Sequence, residues 1–158
     1  MLSIINHYSQ PELIASKLYD ESTFYKAFIK DLEKCDKEVI IESPYITQAR
    51  MKLFWPVFDK LHLKNVKIHV MTRDPREHES FMAAQSEAEI RNFEACGINT
   101  LICTGHHHRK LAILDRKIVW EGSLNILSQC WSREIMRRIQ GEQMAKQMFN
   151  FLKLSKYI

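Results

Sequence analysis

Apolar residues recur along this chain at two spacings, and the switches between them mark out alternating helices and strands. Phe24, Phe28 and Leu32 fall on one helical face, in a helix that ends near Cys35. Val39-Ile40-Ile41 reads as a buried strand stopped by Pro44. Met51, Phe54, Trp55, Phe58 and Leu61 return to helical spacing, and Pro56 among them predicts a kink or a helix that starts near it. Val66 to Met71 alternates as a strand. Residues 77–96 are helix-forming, with Gly97 placed as the cap beyond their end. Ile98 to Cys103 is a third strand. Ala112-Ile113-Leu114 and Ile118-Val119-Trp120 then flank a polar Asp115-Arg116-Lys117, which predicts a hairpin. A strand over Glu134–Ile139 and a helix with Met144, Met148 and Leu152 on one side close the chain.

Strand-helix-strand-helix-strand predicts an α/β fold with a right-handed parallel core and helices on both faces. With the hairpin added, the sheet is expected to be mixed but mostly parallel, in a single domain over residues 1–158. Residues 1–20 fit this pattern least and stand as a candidate N-terminal arm. No repeat, low-complexity tract or linker interrupts the chain.

Composition narrows the class. Apolar residues make up 46% of 158, enough for a sizeable core, and no apolar run approaches a membrane span. Met1 to His7 does not read as a signal peptide. Cys35, Cys96, Cys103 and Cys130 are scattered without C-x-x-C spacing, so reduced cysteines in a cytoplasmic protein are expected. Charge is uneven. Residues 1–104 carry 13 basic and 15 acidic side chains, whereas residues 105–141 carry seven basic against three acidic. A positive segment of this kind suits a polyanion such as nucleic acid. Arg109, Arg133, Arg137 and Arg138 within it are candidate substrate contacts. So is Arg73, just past the second strand, where open parallel sheets place their ligand-binding loops.

The positive segment also holds a spaced pattern, H-x-K-x4-D-x6-G-S-x-N, formed by His108, Lys110, Asp115, Gly122, Ser123 and Asn125. Extended backbone sends His108 and Lys110 to one side, and Ser123 and Asn125 share a face by the same parity. A hairpin can therefore gather the four polar groups, with Gly122 leaving room for a phosphate to approach the backbone. Asp115 has the opposite parity to Lys110, so it is expected to organise the turn.

These residues resemble the signature of the phospholipase D superfamily, and one copy in a chain of this size resembles its small nucleases. The run Ile118 to Ser128 is similar to nuclease-like modules attached to some helicases, which makes a helicase-type partner an expectation. The resemblance implies a phospholipase D-like α-β-α sandwich. It implies that His108 attacks phosphorus to form a phosphohistidine, that Lys110 and Asn125 hold the phosphoryl oxygens, and that Ser123 supports that anion site. It also implies an acidic residue downstream that orients the histidine, for which Glu134 is the candidate. Asp115 belongs to the signature and is carried with the catalytic set.

The chemistry is coherent without the resemblance. A neutral imidazole brings no charge to its approach to an anionic phosphodiester. Donors aimed at the non-bridging oxygens meet the charge that develops there, and losing one costs about 3–4 kcal/mol of barrier. Nothing in the scheme calls for a metal or another cofactor. His106-His107-His108 alternate faces in an extended chain, so His106 and His107 are expected as loop residues at the entrance. Tyr45 and Trp131 are candidates to stack on bases.

One imidazole cannot both attack phosphorus and protonate the leaving oxygen on the opposite side. A single motif copy therefore predicts a two-fold homodimer with a composite site, in contact through Ile126, Leu127 and Trp131. Three functions compete: a nuclease for DNA or RNA, a lipid phosphodiesterase, and a binding or partner module without activity. The lack of an amphipathic, strongly apolar surface segment weakens the lipid reading.

Overall fold

Side chains that alternate along the central strands fill two separate cores, one on each face of the sheet. The computed structural model describes residues 15–128 and 131–158. In chain order the elements are β1 (Ala15–Asp20), α1 (Phe24–Leu32), β2 (Glu38–Glu42), α2 (Gln48–Leu63), β3 (Lys67–Arg73), α3 (Ser80–Ala95), β4 (Asn99–Cys103), β5 (Leu111–Leu114), β6 (Ile118–Gly122), β7 (Ile135–Gln140) and α4 (Glu142–Phe151). Val39 and Ile41 of β2 join Ile68, Val70, Ala112, Leu114 and Trp120 beneath α1, α2 and α3. Ile40, between them in sequence, joins Met71, Ile113 and Val119 beneath α4. Helices thus cover both faces, as the α/β pattern predicts.

Among the described residues seven strands form one sheet in the order β1-β7-β6-β5-β2-β3-β4. β2–β3 and β3–β4 are parallel, and the other four pairings are antiparallel. The expectation of a mostly parallel sheet holds only where α2 and α3 cross over between strands. The short hairpin turn permits antiparallel pairing alone between β5 and β6, and β5 joins the other edge of β2 in the antiparallel sense as well. Residues 15–20 of the expected arm are in fact an edge strand. β7 offers an unpaired ladder, and β1 takes it from Ala15↔Gln140 to Asp20↔Ile135. Residues 1–14 of that expected arm, and Cys130 of the four cysteines, lie outside the described residues.

Phe24, Phe28 and Leu32 are fully buried, as their spacing predicts. The two phenylalanines stand edge-on to Trp120 at 5.2 and 5.8 Å. Truncating one such ring to alanine typically costs about 3–5 kcal/mol. α2 runs unbroken through Pro56 and begins well before it, with Thr47 as its cap. Pro56 and Lys52, the residue whose carbonyl loses its helical donor, are both exposed, so the carbonyl is not stranded in the core. The helix expected over 77–96 divides into a 3-10 turn, Pro75–Glu77, and α3. Gly97, at φ +73°, ends α3 as expected. Its N–H bonds to Glu94 and that of Ile98 to Phe93, the paired closure a left-handed residue makes possible. Among the described residues no helix is long and apolar enough to cross a membrane.

Candidate active site

The carboxyl ends of β2 and β3, the approach to β5 and the end of β6 meet at one rim of the sheet. A cleft of about 450 Å³ opens there, lined by His108, Lys110, Glu121, Gly122, Ile135 and Arg137 among others. His108 and Lys110 precede β5, and Lys110 O accepts from Gly122 N at 3.3 Å, which ties the two halves of the motif together. Lys110 Nζ lies 2.7 Å from His108 Nδ1 and donates to the His108 carbonyl at 2.9 Å. An ammonium only donates, so Nδ1 is the accepting nitrogen and the ring proton sits on Nε2. Desolvation first, then Lys110, Arg73 and His107, hold the His108 pKa below its ordinary 6.5. Desolvation also lowers that of Lys110, against the opposing pull of Glu134. A neutral imidazole therefore stands beside a cation in an open cleft.

Other motif residues fall into distinct places. Ser123 stitches β6 to β7: its Oγ accepts from Ile135 N at 3.0 Å and its N–H bonds to Ile135 O at 2.9 Å. A Cβ on Gly122 would lie 2.1 Å from Ile135 O, so glycine is required by the neighbouring strand. The expected room for a phosphate there is filled by backbone. Asn125 sits in the turn after β6, and its Oδ1 is buried with no partner among the described residues. Glu134 is near enough to act on Lys110, but its carboxylate takes the Ser132 hydroxyl at 2.5 Å. The expected carboxylate contact at His108 Nδ1 is thus replaced by Lys110, which a two-residue spacing brings alongside the ring. Asp115 lies at the far end of the hairpin, where it accepts from the N–H groups of Asp36, Lys37 and Glu38 at 2.9 Å each. It organises the turn and does not join the catalytic set.

The candidate arginines separate in the same way. Arg109 lines the cleft and is 48% exposed, while its Nε lies 2.7 Å from the buried Glu42 carboxylate. Arg138 faces the helices and bonds to buried Asp31 at 2.6 Å. Arg138 is corrected from a substrate contact to an internal ion pair, because strand alternation points it at a buried carboxylate, whereas Arg109, before β5, pairs with Glu42 and still borders the cleft. Arg133 is exposed on the loop before β7, and Arg137 reaches the cleft wall. Arg73 stays at the rim, bonded to Glu77, 2.7 Å from His106 Nδ1 and within electrostatic reach of His108. Tyr45, also on the rim, lies tilted against His78 at 4.7 Å and stands edge-on to His108 at 6.3 Å. His107 is not an entrance residue: its side chain is 8% exposed and Nε2 lies 3.2 Å from Glu42. Glu42 itself, fully buried, escaped the sequence reading. The signal available was a carboxylate ending an otherwise apolar buried strand.

Residues 28–153 match the family described as cardiolipin synthase, PLD-like domain. No curated protein sequence matches the chain. Among solved structures it is similar to Nuc, a phospholipase D family member from Salmonella typhimurium, at 12% identity and TM-score 0.71, over 89% of this chain and 92% of that one. It is similar to NucT from Helicobacter pylori at 14% identity and TM-score 0.65, over 91% and 97%. A phosphatidylserine synthase from Haemophilus influenzae Rd KW20 shares 12% identity at TM-score 0.60, over 93% of this chain and 39% of that chain.

Proposed function

This chain belongs to the phospholipase D-like family, and on that premise we propose that it is a phosphodiester hydrolase, an endonuclease for DNA or RNA that works without a metal through a phosphohistidine. The observation that carries the reading is the neutral imidazole of His108 beside the ammonium of Lys110 in the cleft. Phosphate oxygen is a stronger acceptor than imidazole and draws Lys110 off Nδ1. The ring then loses its Nε2 proton to water and takes one on Nδ1, whose N–H donates a hydrogen bond to a carboxylate, the role Glu134 fills on leaving Ser132, and the Nε2 lone pair is presented to phosphorus. Lys110 and Asn125 stabilise the charge on the non-bridging oxygens. Arg73, Arg133 and Arg137 hold the flanking polyanion, and Tyr45 offers a face to a base.

The site is complete only with a second histidine on the far side of the leaving oxygen, supplied by a second copy of this chain. Ile126 and Leu127 are fully buried and cannot form that contact, contrary to expectation. Trp131, Ile135 and Leu18 are 91%, 61% and 55% exposed, and the last two line the cleft. They take the role instead.

Labelled DNA and RNA oligonucleotides, incubated with EDTA, test the activity. Wild type is expected to cleave, and His108→Ala to bind but not cleave. Binding without cleavage by wild type would leave the binding-module reading. Cleavage restored only by Mg²⁺ would overturn the mechanism.

A further inference from the structure

The segment that carries the cleft's imidazole and ammonium, His106 to Lys110, belongs to no strand, because β5 begins at Leu111. No ladder fixes the direction of His108, so side chains must do so. At its start, Glu77 accepts from the N–H groups of Gly105 and His106 at 2.7 and 2.8 Å. Along its middle the anchor is Glu42, the last residue of β2, fully buried at the centre of the sheet. Its carboxylate accepts from Arg109 Nε at 2.7 Å and from the second guanidinium nitrogen at 3.3 Å. His107 Nε2 lies 3.2 Å from the same carboxylate, within ion-pair reach though off the hydrogen-bond direction. His107 and Arg109 are the two chain neighbours of His108. In extended backbone, groups that project one way hold their neighbours the other way.

The grip extends to the second half of the motif. Ser43 Oγ, next along the chain, accepts from Leu127 N at 3.0 Å, and Thr47 N donates to Leu127 O at 3.0 Å. The end of β2 thus holds both the segment around His108 and the turn that carries Asn125.

We propose that Glu42 is the positioning residue of this site: held to both neighbours of His108, its carboxylate turns His108 and Lys110 into the cleft. The proposal rests on the reading of those two side chains as the reacting pair. A buried carboxylate is an expensive way to fill space, and an apolar side chain of like volume usually serves stability as well or better. What the ionised carboxylate alone supplies is simultaneous, directional acceptance from a guanidinium and an imidazole. Removing it should not strand a buried charge. Arg109 is 48% exposed and can rehydrate, and His107 is charged only when protonated.

The test is Glu42→Gln, followed by thermal unfolding, by kinetics on bis(p-nitrophenyl) phosphate and by the NMR signal of the His108 ring. The fold is expected to survive with Tm lowered by no more than about 4–8 °C. kcat is expected to fall about 10- to 100-fold, as misplacement of a reacting group by an ångström does. KM should change by less than about threefold, since the loss falls on the reacting geometry. The His108 resonance should broaden or split as the ring samples several orientations. Undiminished kcat, or a KM rise at constant kcat, would overturn the proposal. If wild type does not cleave the probe, the phosphodiesterase reading fails, and the His108 signal alone decides this one: a resonance identical to wild type refutes it. Should Glu42→Gln not fold, Arg109→Gln poses the question from the other side, with the same drop in kcat expected and an unaltered kcat as the refutation.

Discussion

His108 is the proposed nucleophile, and its surroundings lower its pKa and favour the neutral ring. Desolvation is the first cause, and the cations Lys110 and Arg73 add to it. Burial likewise lowers the pKa of His69 and His78. For each, the folded value lies below the unfolded one, so between the two values the unfolded chain binds more protons. The associated stability is complete above the ordinary imidazole range and is lost as the pH falls through it toward the folded pKa. Tm should therefore decline between about pH 7 and pH 5, before carboxylates titrate. By NMR the His108 midpoint should lie below 6.5 and move up in Lys110→Met, without returning fully because desolvation remains. A midpoint above 6.5 in wild type would contradict the neutral nucleophile.

At the scale of elements, the β5–β6 hairpin joins the site to the body of the protein. Asp115 and Arg116 both have positive φ, +49° and +54°, and Lys117 N closes the turn on Leu114 O at 2.9 Å. Aspartate tolerates this conformation better than most residues. Its carboxylate satisfies three N–H groups of the α1–β2 connection, which accounts for its pKa being lowered despite desolvation. Asp115→Ala should destabilise the protein by about 1.5–3 kcal/mol in urea titration, as loss of hydrogen bonds to a charged group does. Cleavage per folded molecule should be unchanged. A stable variant with no activity would return Asp115 to the catalytic set.

At the scale of the whole molecule, one cleft holds one motif, and the proposed in-line displacement asks for two histidines. Mixing His108→Ala with wild-type subunits should give hybrids with little activity, because every shared site then lacks one imidazole. Trp131→Ser should weaken self-association and activity together, read by sedimentation across concentration. An active monomer at assay concentration would exclude the composite site. The exposed Trp131, and the exposed Ile135 that lines the cleft, bear on this outcome most directly.

What the sequence by itself determined is local. The helical faces of α1 and α2, the Gly97 cap, the hairpin and the pairing of His108 with Lys110 depend on residues a few positions apart. Their periodicities and turn chemistry are written at that range. What tertiary structure decided is which distant group each polar side chain meets. A strand arginine can face solvent, a substrate or a buried carboxylate, and spacing does not distinguish them. Arg109 finds Glu42 across 67 residues and Arg138 finds Asp31 across 107. The antiparallel half of the sheet and the recruitment of β1 follow likewise from which edges remain open once the parallel core has packed. Each of these choices is set by burial summed over the whole chain, and no local stretch contains it.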